Sequence, residues 1–358
     1  MNIPFIDKTS EKIYENLVQL STTNDVTYLE QAIKLSGIEP DSAYKHFKWL
    51  KTIESKGTKL ILYGLGSVAK AMEKAEFERR DTPGYLYFPF LGDVEWFGFC
   101  DKNVTNFPQG FMGRKVMSVE ELLLLKEEDI CICIGAPDFY EEIECELVEL
   151  GIHKNKIIRH IWPNTICYED KQYFDDFMEP KKETIMIDGG CFRCDSMERF
   201  IKWNEGKGYE EIISFEPDKN NFEICKNIIE KNRWENIELI HAGLAEKESV
   251  CSFIGNGDDT SYISDVGEDK VKLVSIDETV GDKNVSFIKL DVEGFELETL
   301  RGAKECIQRN HPRMAISLYH KKEDIIEIPK YILELSKEYQ FYLRIYSNAY
   351  LEIVLYAV

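Results

Sequence analysis

Phe341-Tyr342-Leu343-Arg344-Ile345-Tyr346 and Leu351-Glu352-Ile353-Val354-Leu355-Tyr356-Ala357-Val358 read as two strands, with only Ser347-Asn348-Ala349-Tyr350 between them. Aromatic and β-branched residues dominate both runs, as a pleated, half-buried surface favours. A parallel pair needs a crossover of about a dozen residues, so a link this short makes the two strands antiparallel or places them on separate edges. Upstream, the strand-like runs alternate with helical patterns, the arrangement that builds a parallel sheet. The carboxyl-terminal half is therefore expected to be an α/β doubly wound sheet, mostly parallel, with one antiparallel strand at its end.

Three runs in that half each end in an acid: Ile185-Met186-Ile187-Asp188, Ile212-Ile213-Ser214-Phe215-Glu216 and Phe287-Ile288-Lys289-Leu290-Asp291. In an open α/β sheet, ligands lie beyond the carboxyl ends of the strands, where acids can take ribose hydroxyls or hold a cationic group. Gly189-Gly190 follows the first acid, Pro217 the second and Val292-Glu293-Gly294 the third. The glycine turn leads into a helix over Ser196–Asn204, so the backbone there can approach a ligand at a helix start. A helix from Phe222 to Asn232 carries Ile224, Ile228 and Ile229 at helical spacing. Further strands are expected at Ile237–His241, Val271–Ile276 and Met314–Tyr319, the last leading through His320 to a helix over Pro329–Tyr339. Gly255-Asn256-Gly257-Asp258-Asp259 reads as a loop near the ligand.

The front of the chain divides into a helical segment over 1–55 and a small α/β domain over 56–163. Helices are expected at Thr9–Leu20, Val26–Leu35 and Ser42–Glu54; they carry no chemistry and suit packing or a subunit contact in a homo-oligomer. The small domain opens with the strand Lys59–Tyr63 and Gly64-Leu65-Gly66-Ser67-Val68-Ala69, a G-x-G-x-x-A turn able to meet a pyrophosphate. Strands Trp96–Cys100, ending at Asp101, and Ile130–Ile134, ending at Gly135-Ala136-Pro137, complete a Rossmann-like pattern before a helix over Tyr140–Leu150. A purely structural turn stands beside ligand binding there. Pro163 and residues 164–182 read as the connection to a domain over 164–358.

At 358 residues the chain exceeds one ordinary core, which agrees with two domains and an accessory segment. With 44 Lys+Arg against 65 Asp+Glu the net charge is −21, which argues against nucleic acid and against an anionic membrane as partner. No apolar stretch approaches the roughly 20 residues of a membrane span. Met1-Asn2-Ile3-Pro4-Phe5-Ile6-Asp7 lacks a basic region followed by an apolar run, so a cytoplasmic location is expected. The ten cysteines are scattered and read as reduced thiols filling core space. Cys191-Phe192-Arg193-Cys194 is a C-x-x-C, but it has neither a thioredoxin-like setting nor a second ligand pair. It reads as two small residues in a tight cofactor loop. No histidine-rich spacing supports a metal, and none is expected.

Residues Tyr63-Gly64-Leu65-Gly66, Gly98-Phe99-Cys100-Asp101, Gly113-Arg114-Lys115-Val116 and Glu120-Glu121-Leu122 resemble the small nucleotide-binding domains that precede sugar-modifying enzymes, including that of certain sugar O-acyltransferases. The resemblance implies a nucleotide or nucleotide-sugar guest. From Glu183 to Val358 the chain is identified as a member of the FkbM family of methyltransferases. The residues that carry this are Ile187-Asp188-Gly189-Gly190, Phe215-Glu216-Pro217, Phe287-Ile288-Lys289-Leu290-Asp291-Val292-Glu293-Gly294 with Glu296 and Leu300, Leu318-Tyr319-His320-Lys321, and Tyr346-Ser347-Asn348. The family's fold is the class I methyltransferase sheet, which the terminal antiparallel strand separates from the ordinary dinucleotide fold. The resemblance implies S-adenosylmethionine as donor and a hydroxyl of a sugar, nucleotide-sugar or other small molecule as acceptor. The chain departs from the family where a further glycine is common and Cys194 and Asp195 stand instead.

Candidate cofactor residues are then Asp188, Gly189, Gly190, Cys191, Glu216, Pro217 and Asp291. Glu216 is expected at the ribose hydroxyls, and Asp188 at the glycine turn and the methionyl amine, with a helix N-cap as its plainer role. A hydroxyl is a weak nucleophile, so a positioned base is expected, with Asp291, Glu293 and His320 as the catalytic candidates. Asp291 can equally hold the cofactor or a metal, Glu293 and Glu296 can be helix-start acids, and His320 a loop histidine. Two other readings stand behind this one. One is an NAD(P)-dependent oxidoreductase or epimerase using Gly64–Ala69, which lacks a following Tyr-x-x-x-Lys; the other is a non-catalytic nucleotide-binding scaffold.

Overall fold

A computed structural model gives the structure of the protein and describes residues 3–23, 25–70, 73, 94–181, 184–254, 262–263 and 269–358. The Gly255–Asp259 loop lies outside the described residues. Two units divide the chain, one of residues 39–166 and one of residues 1–38 with 167–358.

The segment expected as one helical piece over 1–55 is therefore split. Helices α1 (Lys8–Thr23) and α2 (Val26–Leu35) belong to the larger unit, and α3 (Ser42–Glu54) to the smaller. α1 buries Ile13, Leu17 and Leu20, one stripe of a helix. Its first turn is tied to the far end of the chain. Asp7 accepts from Ser10 N at 2.7 Å and pairs with Arg344 at 2.7 Å, while Ser10 Oγ accepts from Leu343 N at 3.0 Å. Local pattern shows a helix here; long-range contacts such as these place it in the larger unit.

The smaller unit holds an all-parallel sheet of β1 (Lys59–Tyr63), β2 (Gly98–Cys100), β3 (Val116–Met117), β4 (Ile130–Ile134) and β5 (Ile157–Arg159), in the order β3-β2-β1-β4-β5. All five residues of β4 are buried, as a parallel strand covered on both faces requires. Helices α4 (Val119–Leu123) and α5 (Tyr140–Glu149) complete its described helices after β3; α4 is opened by a Ser118/Glu121 capping box.

His46 on α3 and His160 just after β5 meet in this unit, Nε2 to Nδ1 at 3.1 Å, against Phe47, Trp96 and Trp162. Burial lowers His46 to about 4; burial and then the neighbouring His46 push His160 well below its ordinary range. Both are neutral when folded, whereas the unfolded chain takes up protons on them below about pH 6.5. The pair's contribution is therefore intact above that pH and is lost as pH falls from there towards 4. In thermal unfolding of the full chain between pH 7 and 5, His160→Phe is expected to give a shallower fall in Tm than the parent. Equal slopes would contradict the assignment.

In the larger unit the strands are β6 (Thr184–Gly189), β7 (Tyr209–Phe215), β8 (Ile237–Ile240), β9 (Gly243–Leu244), β10 (Ser249–Ile254), β11 (Tyr262–Ile263), β12 (Asp269–Val274), β13 (Val285–Leu290), β14 (Arg313–Ser317), β15 (Phe341–Ile345) and β16 (Ile353–Ala357). The helices are α6 (Asp195–Trp203), α7 (Lys219–Asn232), α8 (Ile276–Val280), α9 (Glu296–Arg301), α10 (Lys304–Asn310) and α11 (Asp324–Leu335). A seven-stranded sheet runs β15-β16-β14-β13-β6-β7-β8, and within it β16 alone runs opposite to the other six strands. This is the mixed α/β sheet read from the sequence, with one refinement: the last strand in sequence is not the edge. β16 inserts between β14 and β15. Its residues Ile353 to Ala357 are all buried, while β15 alternates buried and half-buried residues around Arg344, so the fully apolar strand takes the interior place.

Three expectations need correction. Val271–Ile276 does not join the main sheet; it is β12 of a second sheet ordered β11-β10-β12-β9, where Val271 and Leu273 are buried and Lys270 and Lys272 exposed. That alternation marks a strand covered on one face. The last helix starts at Asp324, with Pro329 inside it, because the buried stripe Ile325, Ile328, Ile332 and Leu333 outweighs the preference of proline for a first turn. Residues 164–182 are more than a connection, since Tyr173, Phe174 and Met178 are buried in the core of the larger unit. Their aromatic density was the available signal.

Candidate functional site

Strand register separates the three acids. Gly189 at the end of β6 lies opposite Phe215 of β7 and Leu290 of β13, so the next residues, Gly190, Glu216 and Asp291, form one row at the rim. Asp188 lies two rows below, beside Ser214 and Lys289. Residues two apart share a face, so Asp188 lies one pleat, about 6.6 Å, deeper than the rim acids.

Its surroundings agree with that depth. Asp188 is fully buried, accepts from Ser196 Oγ at 3.0 Å on each oxygen, and lies 3.3 Å from Lys289 Nζ. Burial raises its carboxyl, against the pull of Lys289 and Ser196; burial works against charge on Lys289 too, but Asp188 and Asp291 outweigh it and hold the ammonium above its ordinary value. Lys289 Nζ also donates to the carbonyls of Gly189 at 3.1 Å and Gly190 at 2.5 Å. Asp188 thus organises the glycine turn through Lys289, but its side chain is occupied inside the sheet rather than presented to a methionyl amine. Nor is it the N-cap of α6: Cys194 holds that position with φ 64° and ψ 19°.

Gly190, at φ +75°, has no room for a side chain, since a Cβ there would lie 1.9 Å from the Asp291 carbonyl oxygen. Glu216 follows β7 and is 4 % exposed; its carboxylate accepts from Phe192 N at 2.9 Å and Asp218 N at 2.8 Å. Burial lifts it to about 8 against these two backbone donors. It therefore ties the start of α7 to the glycine loop, and two oxygens with one protein bond each can still accept ligand hydroxyls. Pro217 is half-buried beside it. The side chain of Cys191 turns into the core, so only its backbone faces the turn. Cys194 adopts the left-handed conformation that a glycine would take without strain, which explains how the departure from the family pattern is accommodated.

Asp291 collects partners that no local pattern announces. Tyr173 OH donates to it at 2.8 Å and Tyr319 OH at 3.1 Å, with Ser317 Oγ 3.3 Å from Tyr173 OH. Although burial raises its carboxyl, the charges of His320 and Lys289 and the Tyr173 bond outweigh this and keep it below its ordinary value. His320 is 4 % exposed, with Nδ1 2.8 Å from Glu296 Oε1 and Nε2 3.6 Å from Asp291 and 3.5 Å from Glu293. Burial alone would lower its pKa, but Glu296, Glu293 and Asp291 raise it to about 10. In this arrangement the three carboxylates favour the protonated imidazole, a cationic clamp among them. Glu296 is not merely a helix-start acid: Oε1 also accepts from Val292 N at 2.9 Å, which fixes the loop that carries Glu293 at φ 53°. Asp291, Glu296 and His320 present ligand atoms within 4.8 Å of one another, a grouping that the sequence reading did not make. The direct His320–Glu296 bond makes it a hydrogen-bonded ion pair as it stands. The sequence reading missed Tyr173, Ser317, Tyr319 and the part played by Lys289.

In the smaller unit, Asp101 beyond β2 accepts from Leu65 N in the glycine turn and from Asn103 N, both at 2.8 Å. Asp101 is thus engaged in holding the turn.

Residues 189–341 match the family model described as the methyltransferase FkbM domain. The chain carries an FkbM methyltransferase domain. Its fold is similar to that of a methyltransferase FkbM from Methylobacillus flagellatus KT, at 16% identity and a TM-score of 0.52 over 98% of this chain and 99% of that one. An rRNA methylase from Streptococcus thermophilus (16% identity, 50% of this chain, 87% of that one, TM-score 0.34) and a SAM dependent methyltransferase from Aquifex aeolicus (13%, 53%, 89%, 0.33) are more distant. No curated protein matches the chain. The match covers the glycine turn, Glu216, Asp291, Glu293 and His320 of the methyltransferase domain. No described helix is long and apolar enough to cross a membrane.

Proposed function

We propose that the methyltransferase domain transfers a methyl group from S-adenosylmethionine to a hydroxyl of a small polyol, a sugar or nucleotide-sugar above all. The observation that carries the reading is the rim row: a Gly190 turn that excludes any Cβ, flanked by Glu216 and Asp291 at adjacent strand ends. Such a cradle suits a ligand pressed close to the backbone, at the point where the first strand of the sheet meets the strand that reverses its order. The sugar preference rests on the small domain's resemblance to those preceding sugar-modifying enzymes.

When bound, S-adenosylmethionine would supply an electrophilic sulfonium methyl to the acceptor oxygen, with the thioether as leaving group. Glu216 takes the ribose hydroxyls. The Gly189–Gly190 backbone, braced by Lys289, positions the methionyl end. Asp291, already accepting from Tyr173 and Tyr319, orients groups at the junction of cofactor and acceptor. Glu293, whose side chain is 44% exposed, is the carboxylate placed to take the acceptor proton, while protonated His320 holds it near Asp291. Holding oxygen and methyl carbon in near-attack geometry accounts for much of the rate.

Calorimetric titration with S-adenosylmethionine, S-adenosylhomocysteine, NAD and UDP tests the cofactor, and labelled methyl transfer to a metabolite extract tests the acceptor. Above pH 8, where Glu216 is ionised, Glu216→Ala is expected to weaken S-adenosylmethionine binding by about 1.5 to 3 kcal/mol, roughly 10- to 150-fold, the worth of bonds to a charged acceptor. Unchanged affinity in a folded variant removes Glu216 from the ribose. Binding of NAD with no binding of S-adenosylmethionine overturns the whole reading in favour of an oxidoreductase.

A further inference from the structure

Cys191, Cys194 and Cys225 are all buried and come together behind the glycine turn. The sulfur–sulfur contact crosses from the glycine turn to α7. Cys191 Sγ lies 3.6 Å from Cys225 Sγ on α7, whereas Cys194 Sγ faces the Cys225 carbonyl at 3.7 Å. We propose that Cys191 and Cys225 form a reversible oxidation site, closed to a disulfide by a two-electron oxidant of the peroxide class.

The chemistry balances with peroxide as the named co-reactant. Cys225 sulfur, as thiolate, attacks one peroxide oxygen and becomes a sulfenic acid as hydroxide leaves. Cys191 sulfur then attacks that sulfur, the S–O bond breaks, and the S–S bond forms. The hydroxide and the sulfenic oxygen leave as two waters, having taken up the protons of both thiols. Two thiols have lost two electrons and peroxide has gained them. Cys225 is the starting point because neighbouring thiols surround its sulfur: hydrogen bonds from Cys191 and Cys194 hold it below the ordinary thiol range and push Cys191 above. At rest Cys225 is a thiol whose Sγ donates to the Phe192 carbonyl at 2.8 Å, so the attacking thiolate forms only once that contact opens and the proton leaves.

The contact connects the site to the cofactor loop. Phe192 N donates to Glu216 at 2.9 Å, and its carbonyl takes the Cys225 thiol. A bond draws the two sulfurs from 3.6 Å to about 2.05 Å and moves the turn against α7. The loss of the Phe192–Glu216 bond then follows. This consequence for cofactor binding rests on the methyltransferase reading; the oxidation itself does not.

The test treats the full-length protein with hydrogen peroxide, blocks remaining thiols, and maps peptides by mass without reduction. The expected product is a peptide carrying Cys191 joined to one carrying Cys225, reversed by dithiothreitol, absent in Cys225→Ser and in Cys225→Ala, and retained in Cys306→Ser. Titration of the oxidised protein with S-adenosylmethionine should show about a fivefold loss of affinity, the worth of one hydrogen bond, restored on reduction. A Cys191–Cys194 link, a Cys194–Cys225 link or no link overturns the proposal. A Cys191–Cys225 link in a protein whose reduced form binds no S-adenosylmethionine leaves the oxidation site standing and sinks the cofactor reading instead.

Discussion

Gly190→Ala is expected to be among the most damaging single-methyl changes in the larger unit. Two costs coincide there. The backbone holds φ +75°, a conformation that costs a side-chain-bearing residue about 1 to 3 kcal/mol. The new Cβ would also meet the Asp291 carbonyl oxygen at 1.9 Å, and backbone cannot turn aside as a flexible side chain can, so overpacking adds about 1 to 3 kcal/mol. The control is Gly206, which has φ +81° but nothing within 4 Å of its Cβ position. In urea unfolding, Gly206→Ala should show the first cost alone. Any folded Gly190→Ala protein should also lose S-adenosylmethionine affinity by more than tenfold, because relief of the clash moves Asp291. Equal destabilisation by the two substitutions would show that the close approach is not a constraint.

Lys289→Met is expected to cost about 3 to 5 kcal/mol, the typical effect of removing one partner from a buried ion pair. Lys289 lies in the middle of the sheet with 3% of its side chain exposed, and Asp188 has none exposed. Methionine fills much of the same space, so the loss comes from the stranded Asp188 charge and from the Gly189 and Gly190 carbonyls left without their donor. Asp188→Asn combined with Lys289→Met removes that charge and should recover part of the loss. The pH dependence gives a second signature. Burial already raises the Asp188 carboxyl, and without Lys289 it rises further. The folded state then binds a proton more tightly than the unfolded chain, so lowering the pH should narrow the gap between Lys289→Met and the parent. Urea unfolding at several pH values measures this; a gap that widens in acid would contradict the buried-charge account.

Much of the main sheet was legible in the sequence. Continuous apolar runs such as Phe287–Leu290, glycine turns and the four-residue link after Tyr346 are local signals, because side-chain alternation and turn geometry act over a few residues. The acids at 216 and 291 were placed at the rim for the same reason. Asp188 was grouped with them because it too ends an apolar run. Pairing of β6 with β7 and β13 decides its depth, and that register couples residues separated by 26 and 101 positions. The charge state of His320 was out of reach for a related reason: Glu296, Glu293 and Asp291 act on it together in a buried place.

By itself, the sequence determined the alternation of strands and helices, the antiparallel final strand, the glycine turn and the resemblance of residues 183–358 to FkbM methyltransferases, all of which are written in short-range pattern. Tertiary structure alone decided that α1 and α2 belong with the carboxyl-terminal sheet, that β16 takes an interior place, that Tyr173 and Tyr319 converge on Asp291, and that Cys225 on α7 meets Cys191. Each of these depends on which distant segments share a face. Hydrophobic burial draws such segments together without regard to their separation along the chain, and so leaves no local mark.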